Sequence, residues 1–329
     1  MKKIAIIGAG LSGLSAAYLL KNYAEITVFE KARGVSGRMS TRRSEPYFFD
    51  HGAQYFTART KAFQDFIAPL INQGIIERWN PSYVKFDGNK IIERKNWGEE
   101  EPRYVGTPGM SEISKFLAKE LNVKINKKII SINYKGKWQL VDNQGTEYSG
   151  FDWVICSAPS LQTVELMPKS FLYYNDIKNI QMSPCFALML GFKQDIPLKF
   201  NAAHVINSEL SWIAVNNHKP KRLKDFTLII HSSKEYAEEH INDSNEEVMQ
   251  DLILETSRII GCDVSLADYK IVHRWLYANN YKKDHINNII YIDQKNQLAS
   301  CGDWCLNGRV EGAFTSAYNL ALKIKESIL

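Results

Sequence analysis

The chain has 329 residues, 45% of them hydrophobic, and its 41 lysines and arginines against 36 aspartates and glutamates give a formal net charge of +5. That length holds about two domains with cores of their own, and a small, interspersed charge excludes the basic stripe of a nucleic-acid binder. Five cysteines, at 156, 185, 262, 301 and 305, form no disulfide-like framework, so reduced thiols in a cytoplasm are expected, and beyond the first twenty residues no stretch is apolar enough to span a membrane.

Residues 1–30 read as strand, glycine turn, helix and strand. Gly8, Gly10 and Gly13 follow the apolar residues 4–7 and open a helix with Leu11, Leu14, Ala17 and Tyr18, and Leu11 and Ser12 at its start are cofactor-contact candidates with the glycines. In this G-x-G-x-x-G spacing the first glycine makes the tight turn, the second lets backbone approach a pyrophosphate, and the third lets helix and strand pack closely. The helix N-terminus then faces the phosphates. Glu30 ends the second strand twenty positions after Gly10, where a carboxylate accepts hydrogen bonds from ribose hydroxyls. Lys2 and Lys3 before an uncharged stretch also suggest a secretory leader, but the interrupting glycines and the second strand argue for part of the fold. This motif alone serves NAD or FAD equally.

The loop KARGVSGRMSTRRSE follows. By charge alone Arg33, Arg42 and Arg43 read as a solvated basic loop, and Arg38 stands close to the glycine turn. SGRMSTRR followed by FDHGAQYFTAR resembles flavoproteins of the amine-oxidase superfamily, specifically the renalase family. Ser36 stands where the superfamily pattern has another glycine. The resemblance implies FAD contacts at Lys31, Gly37, Arg38 and Met39, with Arg38 on phosphate, and places Gly52, Ala53, Gln54 and Tyr55 beside the isoalloxazine ring. His51 is a pocket candidate.

Apolar spacing predicts an amphipathic helix over residues 61–73 and another after Ser111. Between them, residues 75–97 read as short strands with a turn at Asp87-Gly88-Asn89. Residues 123–159 read as a three-stranded meander with turns at Gly136 and Gly145, ending in a buried strand with Cys156 as a small core residue. The resemblance places Ile129 at the adenine. Residues 160–284 are rich in aromatic strands, with one helix over 246–260. Candidate pocket residues there are Trp212, Asn216, His231, His273, Trp275 and Tyr277, of which the HRWLYA stretch carries the clearest likeness.

The last segment, LASCGDWCLNGRVEGAFTSAYNLALKIKESIL, reads as a strand, a loop and a terminal helix. In the superfamily it resembles, the G-D pair meets the ribityl phosphate and the V-E-G-A helix start points at the flavin pyrimidine edge, which implicates Gly302, Asp303, Val310 and Glu311. A helix N-terminus there stabilises the negative charge of a reduced flavin. This second motif selects FAD.

The expected fold is α/β: a Rossmann-type FAD-binding domain of residues 1–74, 100–159 and 285–329, with a mixed-sheet substrate domain of 75–99 and 160–284. The resemblance implies an oxidase that takes hydride at flavin N5 from 2- or 6-dihydro isomers of NAD(P)H, returns NAD(P)⁺ and reduces O₂ to H₂O₂. Its partners would be a dihydronicotinamide nucleotide and O₂. Alternatives are a flavin amine oxidase, another FAD/NAD(P)-dependent dehydrogenase, or a non-catalytic flavin-binding interaction protein. No catalytic side chain is assigned, no metal site is read, and the lysine that many amine oxidases place near N5 has no evident counterpart.

Overall fold

The computed structural model describes residues 1–98, 100–281, 288–306 and 308–329. It divides into two compact units: Met1–Arg38, Ile113–Met182 and Asn279–Leu329 form the first, and Met39–Glu112 with Ser183–Ala278 the second.

The first unit is built on a six-stranded sheet in the order Tyr291–Asp293, Leu298–Ser300, Trp153–Cys156, Lys2–Ile7, Ala24–Phe29, Asn122–Lys124. All neighbours run parallel except the outermost strand, Tyr291–Asp293. Strands covered on both faces need continuous apolar runs, and Ile4, Ala5, Ile6, Val154, Ile155 and Cys156 are wholly buried. Helix Leu11–Leu20 packs on the terminal helix Val310–Ile328; Leu14, Ala17, Phe314, Ala317 and Leu320 are buried between these elements and their surroundings. The meander forms as expected, with strands Ile129–Tyr134, Trp138–Asp142 and Glu147–Phe151. Its turns carry Gly136 and Gly145 at φ of +74° and +79°, a region where glycine is at no disadvantage.

The second unit holds a seven-stranded mixed sheet ordered Tyr269–Asn280, Met182–Phe192, Phe226–Ser232, Leu210–Val215, Ala202–Ile206, Ser82–Asp87, Lys90–Asn96. Ala202–Ile206 and Ser82–Asp87 pair in parallel. Helix Asn245–Ile260 covers the sheet with Val248, Leu252 and Ile259. It begins with a capping box between Ser244 and Glu247 and ends at Gly261, φ +70°.

The compact units part the chain elsewhere than expected. Residues 39–74 and 100–112 fold with the second unit, because the hairpin Thr41–Ser44/Tyr47–Asp50 seats Tyr47 and Phe49 against Met189 and Ile229 of its sheet. Residues 160–182 fold with the first, tied by Ser160 Oγ donating to Ile180 O and by Leu172 N donating to Asp293. The expected edges at residue 99 and at 284/285 lie outside the described residues. Among those described, no helix is long and apolar enough to cross a membrane.

Candidate functional site

In the first unit the glycine turn does what its spacing requires. Gly8 has φ +104°, and its N–H donates to Phe29 O at 2.8 Å. A Cβ on Gly13 would run into Gly8 O and Ser157 Oγ, whereas one on Gly10 would meet nothing within 4 Å. So Gly13 is required by helix–strand packing, and the backbone at Gly10 borders open space. Helix Leu11–Leu20 starts there with no side-chain cap, which leaves first-turn N–H groups for a ligand.

Glu30 is 7% exposed. Its carboxylate accepts from Ala9 N and Ala32 N, each at 2.8 Å. An ionised carboxylate has about four acceptor sites, so this pair of bonds holds Glu30 in place and leaves capacity for hydroxyl donors. Lys31 is exposed and reaches Gln162. Gly37, at φ +54°, approaches Gly10: a Cβ there would lie 3.3 Å from Gly10 Cα.

Two candidates from opposite ends of the chain meet. Arg38 Nη1 donates to Asp303 Oδ2 at 2.9 Å and Nη2 to Oδ1 at 2.5 Å, a two-pronged pair of the kind a planar guanidinium favours. Gly302 is pinned by Ser316 Oγ at 3.1 Å. Val310 and Glu311 open the terminal helix, whose start also lacks a side-chain cap. Ser12 Oγ donates to Cys301 Sγ at 3.2 Å, and burial pushes the Cys301 thiol up to about 12, so it stays neutral. Ile129 is buried at the head of the meander.

In the second unit the site grows from the hairpin. Its register pairs Thr41 with Asp50 and Arg42 with Phe49, so alternation puts Thr41 and Asp50 on one face and Ser40, Arg42, Phe49 and His51 on the other. On the first face Asp50, wholly buried, accepts from Thr41 Oγ1 at 2.7 Å and Met110 N at 3.0 Å. Arg222 donates to its Oδ2 at 2.7 and 3.1 Å, and the ammonium of Lys219 lies at 3.5 Å. Lys219, with no exposed side-chain surface, also donates to Gln54 Oε1 and Asn216 Oδ1 at 3.1 Å each. Burial would raise the Asp50 carboxyl, but Lys219 and Arg222 outweigh it and hold it at about 2. Burial, opposed by Asp50 and reinforced by Arg222, pushes Lys219 down to about 8.

Gln54 Nε2 donates to Asp50 O at 2.5 Å and Gly52 O at 3.0 Å. Its amide therefore braces the Gly52–Ala53 bend from inside, with Lys219 holding its other end. Met39 is buried at the start of this unit.

On the opposite face, strand Tyr269–Asn280 lays its odd-numbered residues along the hairpin. Tyr269 stacks on Phe49 at 5.6 Å between ring centroids, and Trp275 stacks on His51 at 5.2 Å. His273 meets both His51 and Trp275 edge-on, at 5.0 and 4.3 Å, and Trp275 Nε1 donates to His51 O at 2.9 Å. Tyr277 continues the alternation, half-buried. Burial pushes His51 down to about 3 and His231 to about 4, and lowers His273, with nearby cations adding to each. These imidazoles are neutral at pH 7.

A second aromatic group joins Tyr55 to Trp97 and Trp212, at 4.9 and 5.7 Å, with Trp79 behind them. Arg103 lies 3.9 Å over the Trp97 ring. Trp212 thus belongs with Tyr55 rather than with His273 and Trp275, while its strand neighbour is His231. Buried Trp212 Nε1, His51 Nδ1 and His231 Nε2 have no hydrogen-bond partner among the described residues.

Sequence reasoning missed Asp50, Lys219, Arg222, Trp97 and Arg103. The stretch His218-Lys219-Pro220-Lys221-Arg222 has the composition of a solvated turn, and only Asp50, inside the FDHG stretch, offered a signal. An open groove of about 630 Å³ along helix Asn245–Ile260 contains none of the candidates.

A model of NAD(P)-binding Rossmann-like domains matches residues 6–70, and one of flavin-containing amine oxidoreductases matches residues 80–324. The chain belongs to the flavin-containing amine oxidoreductase family. FAD is accordingly its cofactor, and the family is one of oxidoreductases. Among curated proteins, an L-amino-acid oxidase of Sistrurus catenatus edwardsii is 32% identical over 100 residues, covering 29% of this chain and 19% of that protein. A 4,4'-diapophytoene desaturase (4,4'-diaponeurosporene-forming) of Staphylococcus aureus (strain Newman) is 38% identical over 76 residues, 20% of this chain and 15% of that one. The matches thus span less than a fifth of those relatives' own length. A protein of Exiguobacterium sp. 255-15 assigned as a protoporphyrinogen oxidase shares the fold with a TM-score of 0.80 at 13% identity, over 99% of both chains. A putrescine oxidase bound to putrescine does so with 0.73 at 12% identity, over 98% of both.

The first unit's residues fit FAD. Gly10 borders open space, Glu30 keeps free acceptor capacity, and two uncapped helix starts offer N–H groups.

Proposed function

We propose that the chain is a renalase-like oxidase that converts 2- or 6-dihydro isomers of NAD(P)H to NAD(P)⁺ and reduces O₂ to H₂O₂, in the cytoplasm. In this reading the first unit is the FAD-binding domain and the second the substrate domain. Glu30 receives the adenosine ribose hydroxyls, the Gly8–Gly13 turn the pyrophosphate, and Asp303 with the Val310 helix start the ribityl and pyrimidine ends. Bound FAD supplies a two-electron acceptor that O₂ restores.

What the chain's own residues contribute is orientation and exclusion. The flat rings of Trp275, His51 and His273 offer a stacking surface, which suits a nicotinamide. Donor and acceptor must be positioned, and no acid or base is required to move a proton from the ring carbon. The observation that carries this reading is the charge of the His51 cluster. Its imidazoles are neutral, and Asp50, the carboxylate on the hairpin's other face, is bound by Lys219 and Arg222, so among the described residues no acid of this cluster is assigned to a substrate ammonium.

Amine oxidation remains the alternative that the family and the putrescine-oxidase-like fold favour. Lys219 is a buried lysine of the kind that reading seeks, but Asp50, Gln54 and Asn216 already engage its ammonium. The test is product stoichiometry with the FAD-loaded protein in air. Equal yields of NAD(P)⁺ and H₂O₂ from the 2- or 6-dihydro isomer are expected; peroxide from a primary amine, with none from either isomer, would replace this reading by the alternative.

A further inference from the structure

Arg42 reads in sequence as one of several solvated arginines. In the structure it is half-buried, and its neighbours separate it from the rest. Arg43, on the other face, pairs with Glu112 at 3.5 Å, and Arg38 with Asp303. Among the described residues Arg42 has neither ion pair nor hydrogen bond. The register sets it opposite Phe49, on the face that carries Ser40 and His51, the face on which Tyr269, His273 and Trp275 are stacked. Its charge reaches both His51 and His273 and helps keep them neutral.

No acid answers it. Asp50 lies on the opposite face and already faces two cations, and Tyr269 spends its hydroxyl on Ser44 at 2.8 Å. A guanidinium unpaired among the described residues and partly removed from water, beside a neutral aromatic wall, is the arrangement of an anion receptor. The guanidinium fork presents parallel donors that match phosphate oxygens, and neutral imidazoles can add a hydrogen bond to that anion.

We propose that Arg42 is the anion anchor of the substrate site in the second unit, and that the anion it takes is a phosphate of the nucleotide substrate. This deepens the dihydronicotinamide reading and rests on it for the identity of the phosphate's carrier. A cationic amine meets like charge at the same place, so the anchor also selects against that substrate class.

The test compares two ligands that share a nicotinamide riboside, one of which carries an adenosine diphosphate on it. NAD⁺ and nicotinamide riboside are titrated into the FAD-loaded protein, and binding is read from the flavin spectrum. Wild type should bind NAD⁺ the more tightly. Arg42→Ala should weaken NAD⁺ by about 10- to 100-fold, as for lost hydrogen bonds to a charged group, and leave the riboside unchanged, so that the preference disappears. Arg42→Lys should restore part of it, and Arg43→Ala should match wild type. A preference unchanged in Arg42→Ala, or absent in wild type, overturns the anchor even if dihydronicotinamides are turned over. Inorganic pyrophosphate separates the two levels: binding that depends on Arg42, without turnover of either isomer, upholds the anion site while removing the reading it rests on. Binding of L-phenylalanine that depends on Arg42, with none of NAD⁺, would give the anchor to a carboxylate and overturn the phosphate.

Discussion

The glycine turn of the first unit and the Asp50 cluster of the second solve the problem of a rigid site by opposite means. At the turn, position is set by backbone: Gly8 and Gly13 let strand and helix touch, and Glu30 is held by two main-chain N–H groups. Around Asp50, position is set by buried charge, with Lys219 and Arg222 converging on one carboxylate and Gln54 braced between Lys219 and the bend it supports. In a backbone-built site the donors do not titrate. A charge-built site is rigid only while each partner is present and ionised.

That contrast is broken most forcefully at Asp50. Asp50→Asn should destabilise the protein by about 3–5 kcal/mol, since two buried cations lose their counter-charge. Urea unfolding would measure it, and a loss below about 1 kcal/mol, the scale of an exposed pair, would mean that the cluster is not a buried ion network. Glu30→Ala should weaken FAD retention by about 1.5–3 kcal/mol, the range for hydrogen bonds to charged groups, as read by equilibrium dialysis. Gly13→Ala should cost about 1–3 kcal/mol through overpacking against Gly8 O and Ser157, visible as lowered flavin content and melting temperature together. Smallest is Ser244→Ala, which removes a helix cap that takes part in neither cluster and should cost about 1 kcal/mol with flavin content unchanged.

Acid and alkali sharpen the same contrast. Asp50 is held at about 2, below its ordinary 3.8, so it contributes stability above pH 4 that is lost as pH falls toward 2. Lys219 is pushed from 10.5 to about 8, so between those values the unfolded chain binds the extra proton and its contribution to stability rises with pH. The slope is at most about 1.4 kcal/mol per pH unit for one group. Lys219→Met should abolish that rise in urea titrations at pH 8 to 10; an identical slope in the variant would count against a depressed lysine.

The same division decided what could be read from the chain. Gly8, Gly10, Gly13 and Glu30 were legible because backbone conformation restricts residue type at fixed spacing. The parallel sheet followed from apolar runs such as residues 4–7 and 153–156. Lys219 was illegible because its burial is decided by Asp50, 169 positions away, and hydropathy assigns such a lysine to solvent. Arg42 was read as solvated for a related reason: only the hairpin register shows that it shares a face with His51 and Phe49. The compact units divide the chain at other places than the expected domains because the hairpin's attachment depends on Tyr47 and Phe49 packing on Met189 and Ile229, contacts with no local signature.

The substrate class is decided by anaerobic stopped-flow mixing of the FAD-loaded protein with 2-dihydro- and 6-dihydro-NAD(P), ordinary NADH and NADPH, and a panel of amines. Fast bleaching of the flavin by a 2- or 6-dihydro isomer, much slower bleaching by ordinary NADH, and none by amines are expected. Rapid bleaching by a simple amine with no response to either isomer would contradict the dihydronicotinamide reading.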